Sequence, residues 1–145
     1  MPDISEYPND FAAFNRALIA EFRANGGKTT GMFADAPLVL LTTKGAKSGQ
    51  PRTTPVVYTT NDNGEVVVIA SKAGAPTHPD WYHNLVANPE VTVELANETY
   101  TARARQTEEP ERTNLYAAQA ALMPNFDEYA KLTDRKIPVF VLERS

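Results

Sequence analysis

The hydrophobic positions of this chain change their period along its length. Phe11, Phe14, Leu18 and Phe22 recur every three or four residues, which is the spacing of one helix face. Asn9 or Asp10 suits the cap of that helix and Gly26-Gly27 its stop. From Leu38 the apolar and β-branched residues gather into short runs that predict strands at Leu38–Thr43, Thr53–Thr60 and Glu65–Ala70. Asn61-Asp62-Asn63-Gly64 is a hairpin turn between the last two. Thr77 or His78 opens a short helix over PDWYHNLVA, which Asn88-Pro89 ends. Val91–Leu95 and Thr99–Arg105 alternate like paired strands around Ala96-Asn97-Glu98. Helical spacing covers Glu108–Leu122, breaks at Pro124 and resumes over Asn125–Leu132, and Ile137–Leu142 reads as a closing buried strand.

Six strands in short hairpins, with helices set apart in sequence, predict an α+β fold with a mostly antiparallel sheet. A sheet of that size hides its edges by closing into a small barrel. A length of 145 residues fits one domain, 1–145, with residues 1–10 loosely attached.

Composition removes several function classes. Hydrophobic residues at 42% and charged ones at 22% are ordinary for a globular chain. No apolar run approaches a membrane span and no signal-peptide pattern opens the sequence, so a cytoplasmic location is expected. The absence of cysteine excludes disulfides, thiol catalysis and cysteine-ligated metals, and two histidines, His78 and His83, exclude a multi-histidine metal site. A net charge of −4 argues against nucleic acid. The first helix lacks basic flanks, so its stripe reads as core-facing. A membrane contact is not indicated, and monomer and homodimer both stay open.

Within this acidic chain the positive charge is local. Between Ala36 and Asn61 there is no carboxylate, only Lys44, Lys47 and Arg52; removing those three from the 14 basic residues leaves 11 against 18 acidic ones. Gly45-Ala46-Lys47-Ser48 invites a phosphate-loop reading that fails on detail. The motif's glycine positions hold Ala46 and Leu41, and Pro51 and Pro55 forbid the helix that must follow. A glycine-bracketed hairpin remains, Gly45 to Gly49, whose backbone N–H groups can face an anion. Arg52 adds a planar fork suited to phosphate or carboxylate. A solvated basic turn explains the same residues.

A second stretch, IASKAGAPTHPDWYHNL, tilts the balance. A strand ends at Ser71-Lys72, small residues Ala73-Gly74-Ala75 leave room at the backbone, and a helix brings Trp81, Tyr82 and Asn84. Together these form a cradle for a planar anionic group. Taken singly, Trp81 reads as core, Lys72 as an exposed lysine, His78 as a helix cap and His83 as a solvated residue.

LLTTKGAKSGQPRTTPVVY, ASKAGAPTHPDWYHNLVANPEVTVEL and the terminal TDRKIPVFVLER resemble the deazaflavin-dependent nitroreductase family of actinobacteria, from about Phe11 to the C-terminus. The resemblance implies a split β-barrel like that of FMN-binding proteins, with peripheral helices. It also implies coenzyme F420, an 8-hydroxy-5-deazaflavin with a phosphate and an oligoglutamate tail. By motif, Lys47, Ser48 and Arg52 would meet the phosphate and tail, with Thr53, Thr54, Pro55 and Val57 lining the adjacent strand. Ala70, Ser71 and Lys72 would border the ring through their N–H groups, and Trp81, Tyr82 and Asn84 would complete the pocket. The implied activity is hydride transfer to an electron-poor small molecule: a quinone, a conjugated lactone or enone, or a nitroaromatic. In LMPNFDEYAKL, Met123 and Phe126 stand where the nitroimidazole-activating member has tyrosines, which predicts an apolar lid on the barrel mouth. Tyr129 keeps its hydroxyl and is the candidate proton donor. An FMN-dependent split-barrel oxidoreductase and a non-catalytic deazaflavin carrier are the alternatives.

Overall fold

A computed structural model describes residues 11–30, 37–74, 77–96 and 98–145; the expected caps Asn9 and Asp10, the expected loose segment 1–10, Ala75 and Asn97 lie outside them. The described elements are α1 (Phe11–Ala24), β1 (Leu38–Lys44), β2 (Pro51–Thr60), β3 (Val66–Ile69), a 3₁₀ turn (Lys72–Gly74), α2 (Asp80–Ala87), β4 (Glu90–Glu94), β5 (Thr99–Gln106), α3 (Glu111–Leu122), α4 (Asn125–Leu132) and β6 (Val139–Arg144). The six strands close into an antiparallel barrel in the order β1-β2-β3-β6-β5-β4, with β4 pairing back onto β1. The expected α+β barrel with peripheral helices is the fold observed.

Alternation along each strand decides what faces inward. Val39, Leu41, Val66, Val68, Val91, Val93, Ala102, Phe140 and Leu142 fill the barrel, and Trp81 and Leu85 of α2 join them. The opposite faces are also apolar where helices cover them. Leu38, Leu40 and Val57 meet Leu18 and Phe22 of α1, and Val67, Ile69, Val139 and Val141 meet Tyr116, Ala120, Phe126 and Tyr129 of α3 and α4. β3 and the first four residues of β6 are therefore buried on both faces, which is why they read as unbroken apolar runs.

Some boundaries move for identifiable reasons. β6 begins at Val139, because Pro138 has no N–H for the ladder, and Ile137 turns into the α3–α4 cluster. β2 begins two residues early, with Pro51 opposite Lys44 at the strand start, the ladder position that tolerates proline. α2 begins at Asp80 behind Pro79, with no side-chain cap, so neither Thr77 nor His78 caps it. α3 begins at Glu111. The preceding Glu109 carboxylate instead accepts from Thr113, Arg112 and Lys136, and those contacts hold it down to about 2.

Strand direction then sorts the loops. The β1–β2 loop, the exit of β3, α2 and the entry to β4 share one end of the barrel, which also receives the α3–α4 excursion between β5 and β6. The other end carries the β2–β3 and β4–β5 hairpin turns, the start of β1 and the end of β6, and the turn after α1 meets it with Gly27 against Ala96.

Gly74 ties the 3₁₀ turn to α4. Its φ is +81°, and a Cβ there would lie 2.9 Å from both the Tyr129 carbonyl and the Leu132 Cβ. Gly26 has a φ of +63° with nothing near a Cβ. Gly74→Ala is therefore expected to cost about 2–3 kcal/mol in urea unfolding, against about 1 kcal/mol for Gly26→Ala. Equal costs would show that α4 does not press on this turn.

Candidate active site

The hairpin loop is built by its own hydrogen bonds. Gly45 N–H donates to Gln50 O at 2.8 Å, Gly49 N–H to Gly45 O at 2.9 Å and Gln50 N–H to Ser48 Oγ at 3.1 Å. Ser48 Oγ lies so close to Gly45 that a Cβ there would be 2.5 Å away. The Ala46 N–H is taken by Asn84 Oδ1 at 3.0 Å. The Lys47 and Ser48 N–H groups have no partner among the described residues, and the Ser48 hydroxyl hydrogen is still free to donate.

Electrostatics marks the same loop, because Arg16, Lys28 and Arg103 also lack a carboxylate among the described residues but stand apart from one another. Arg23, Arg105, Arg112, Lys131, Lys136 and Arg144 each hold a carboxylate. Lys44, Lys47 and Arg52 are exposed, and none of their side chains has a partner among the described residues. Cross-strand pairing divides them between two faces. Arg52 sits opposite Thr43, and Thr54 shares its side of β2, which looks toward the barrel interior and α2. Lys44, Thr53, Pro55 and Val57 lie on the outer face, where the Thr42 and Thr53 hydroxyls meet at 2.8 Å and Val57 packs beneath α1. A groove of about 290 Å³ adjoins the loop there, lined in part by Lys44, Gly49 and Pro51. A larger cavity of about 360 Å³ opens at the other end beside Glu65 and Glu143, where Arg144 is committed to Glu98. The smaller groove also has Glu90 in its wall, and of the three free cations Lys44 is the one that lines it.

The Ser71 corner corrects the expected N–H donors. Ala70 N–H donates to Pro138 O and Ser71 N–H to Ile69 O, each at 2.9 Å. Lys72 N–H and the buried Ser71 hydroxyl are the groups left without a partner among the described residues. Lys72 has a φ of 47°, the left-handed region that a side chain rarely adopts, and its ammonium reaches Thr77 at 3.3 Å.

The helix residues have different fates. Trp81 is 6% exposed with its ring edge-on to Phe140, so it plugs the barrel and offers no face to a ligand. Asn84 is buried, donates to Thr43 Oγ1 at 3.1 Å and accepts from Ala46, which makes it the strut between α2 and the loop. Tyr82 is half-buried beside His78, with ring centroids 4.2 Å apart. The expected lid is corrected too. Phe126 and Tyr129, 2% and 3% exposed, stack edge-on and pack on the outside of β3 and β6. Met123 is half-buried between that cluster and the one under α1. The apolar period of α4 meets the flank of the barrel before it can reach the mouth.

A family model described as F420H(2)-dependent quinone reductase matches residues 14–144. The chain belongs to this family. It is accordingly an F420-dependent oxidoreductase, and coenzyme F420 is its cofactor. An F420H(2)-dependent quinone reductase of Mycobacterium tuberculosis is 37% identical over 129 residues, 86% of each chain. A solved F420-H2 dependent reductase is 42% identical with a TM-score of 0.67, covering 74% of this chain and 94% of that one. Another solved structure, described as a domain-swapped dimer, is 39% identical with a TM-score of 0.69, covering 86% and 94%.

The residues present fit a polyanionic planar cofactor. Three unpaired cations and two free N–H groups stand on one loop, and a free hydroxyl and N–H stand on the corner at the same end of the barrel. Arg135, which the sequence reading passed over, reaches this corner from the segment after α4. Its signal in the sequence was one charge before Lys136-Ile137-Pro138, with nothing to indicate where it would point.

Asn84→Ala is expected to destabilise the fold by about 1–3 kcal/mol, because it removes the donor to the buried Thr43 hydroxyl oxygen and leaves the Ala46 amide unpaired. It is also expected to speed hydrogen exchange at Ala46. Unchanged Ala46 exchange would show that the strut does not hold the loop.

Proposed function

We propose that this protein reduces quinones with F420H2, holding the anionic tail on the Gly45–Arg52 hairpin and the ring's polar edge at the Ser71–Lys72 corner. The observation that carries this reading is the stretch from Pro37 to Asn61 of an acidic chain, which holds three cations, no carboxylate and no ion pair among the described residues. Lys47 and Arg52 would hold the phosphate and glutamates, with the Lys47 and Ser48 N–H groups and the Ser48 hydroxyl. The Ser71 hydroxyl and Lys72 N–H would orient the ring, beside Tyr82. Thr54 shares the Arg52 face of β2, whereas Thr53, Pro55 and Val57 serve the outer groove or the α1 contact. When bound, the reduced cofactor supplies a hydride as a two-electron unit, so the protein's task is binding and orientation. Tyr129 is covered by its own cluster, and we assign the proton that completes the reduction to water at the open cradle.

The acceptor class follows from the family. Its model and the M. tuberculosis relative are both described by quinone reduction. Quinones come first, and conjugated lactones or enones share the electron-poor apolar character they require. Menaquinone analogues are expected to turn over faster than polar bicyclic nitroimidazoles in steady-state assays; comparable kcat/KM for both would remove the preference.

Calorimetric titration tests the cofactor site. F420 is expected to bind with micromolar affinity or better, and FMN, which lacks the oligoglutamate tail, more weakly. Arg52→Ala and Lys47→Ala are each expected to weaken F420 binding by about 1–3 kcal/mol, and added salt to weaken the wild type. Normal binding by both variants would reduce the hairpin to a solvated turn. Tight binding without turnover of any quinone would favour a deazaflavin carrier.

A further inference from the structure

Arg135 is half-buried, and its guanidinium meets at least three acceptors, which lie on two segments of the described residues. Nη1 donates to the Ala70 carbonyl at 3.1 Å, and Nη2 donates to the Ser71 carbonyl at 2.6 Å. Nη1 also meets His78 Nδ1 at 2.9 Å. A guanidinium has only donors, so His78 must accept through Nδ1 and carry its proton on Nε2. The imidazole is held in place by Tyr82 at 4.2 Å between centroids. Immediately after the two clamped carbonyls comes Lys72 at its positive φ, followed by Gly74 pressed on α4. An isolated Ser71–Lys72 turn would relax out of that conformation, so it persists because its surroundings hold it.

We propose that Arg135 and His78 are the positioning pair of this reductase, a guanidinium locked by a neutral imidazole that holds the Ala70–Lys72 corner in its cofactor-binding shape. The proposal rests on the reading that this corner borders the deazaflavin. Neither residue is a catalytic group; both act through the backbone they hold.

The pair has a built-in pH dependence. Among the described residues, His78 faces Arg135 from the segment after α4 and Tyr82 and His83 from α2, with the Lys72 ammonium on the neighbouring Thr77. Burial first, then the Arg135 guanidinium and His83, hold His78 below its ordinary 6.5. The unfolded chain thus takes up this proton more readily than the folded one. The contact is complete above about pH 6.5 and is lost as pH falls through the lowered folded value, because an imidazolium has no lone pair for Arg135 and repels it.

His78→Asn and His78→Phe in the full chain separate this role from simple packing. Asparagine can present an oxygen where Nδ1 was and does not titrate. Phenylalanine keeps a ring against Tyr82 but accepts nothing. F420 affinity is measured by calorimetry at pH 8 and at steps below pH 6.5 down to the most acid pH at which thermal midpoints still show a folded state. At pH 8 the wild type and His78→Asn are expected to bind within about twofold of each other, and His78→Phe at least fivefold more weakly. At the acid end of that series the wild type is expected to bind at least threefold more weakly than His78→Asn. Referring each value to that variant cancels the titration of the cofactor itself. Wild-type affinity in His78→Phe at pH 8, or a wild-type to His78→Asn ratio that stays the same across the whole series, would overturn the positioning pair alone. No F420 binding by the wild type at pH 8 would overturn the cofactor reading and this proposal with it.

Discussion

Closure of the sheet through β1 and β4 is the constraint on which the rest of the molecule depends. Leu40, Leu41 and Thr42 pair with Glu94, Val93 and Thr92, and that short ladder removes both open edges. Once the barrel is shut, its interior has to be filled from within, and Val, Leu, Phe140 and the inserted Trp81 do so. Closure also fixes which connections lie together. The β1–β2 loop and the end of β3 come to the same rim although they are more than twenty residues apart, and α2 spans the gap between them through Asn84.

Charge is distributed by the same logic. On the flanks, arginines and carboxylates neutralise one another: Arg23 with Glu94, and Arg105 with Glu111 and Glu143. Such exposed pairs add little stability, and their consequence here is subtractive: among the described residues Arg16, Lys28 and Arg103 stay unmatched singly, whereas the hairpin gathers three unmatched cations with no carboxylate between them. An acidic protein can hold a polyanion if the cations that meet it are spared from internal pairing, and Lys44, Lys47 and Arg52 are spared.

Helices α3 and α4 stand behind the site rather than over it. Tyr116, Phe126 and Tyr129 pack against the outer face of β3 and β6, and the C-terminal turn of α4 presses on Gly74. The segment that follows sends Arg135 to the carbonyls of residues 70 and 71. The shape of the corner is therefore dictated from a part of the chain some sixty residues away.

Local chemistry made much of this legible in the amino-acid order alone. The turn at Asn61–Gly64, the proline-bounded α2, the double-faced apolar runs of β3 and β6 and the local cluster of cations follow from propensity, period and charge, which act over a few residues. So the barrel, its hairpins and the anionic character of the cofactor's tail could be read in advance. Tertiary structure decided which groups are spoken for. Trp81 and Phe126 look like pocket walls in sequence and are core. Asn84 looks like a ligand contact and is a strut. The N–H groups of Ala70 and Ser71 are consumed by Pro138 and Ile69, and Arg135 gains its partners only when the 133–138 segment folds back. The physical reason is that a hydrogen bond or a buried face can be used once, and the partner that uses it is chosen by long-range packing that no local pattern encodes.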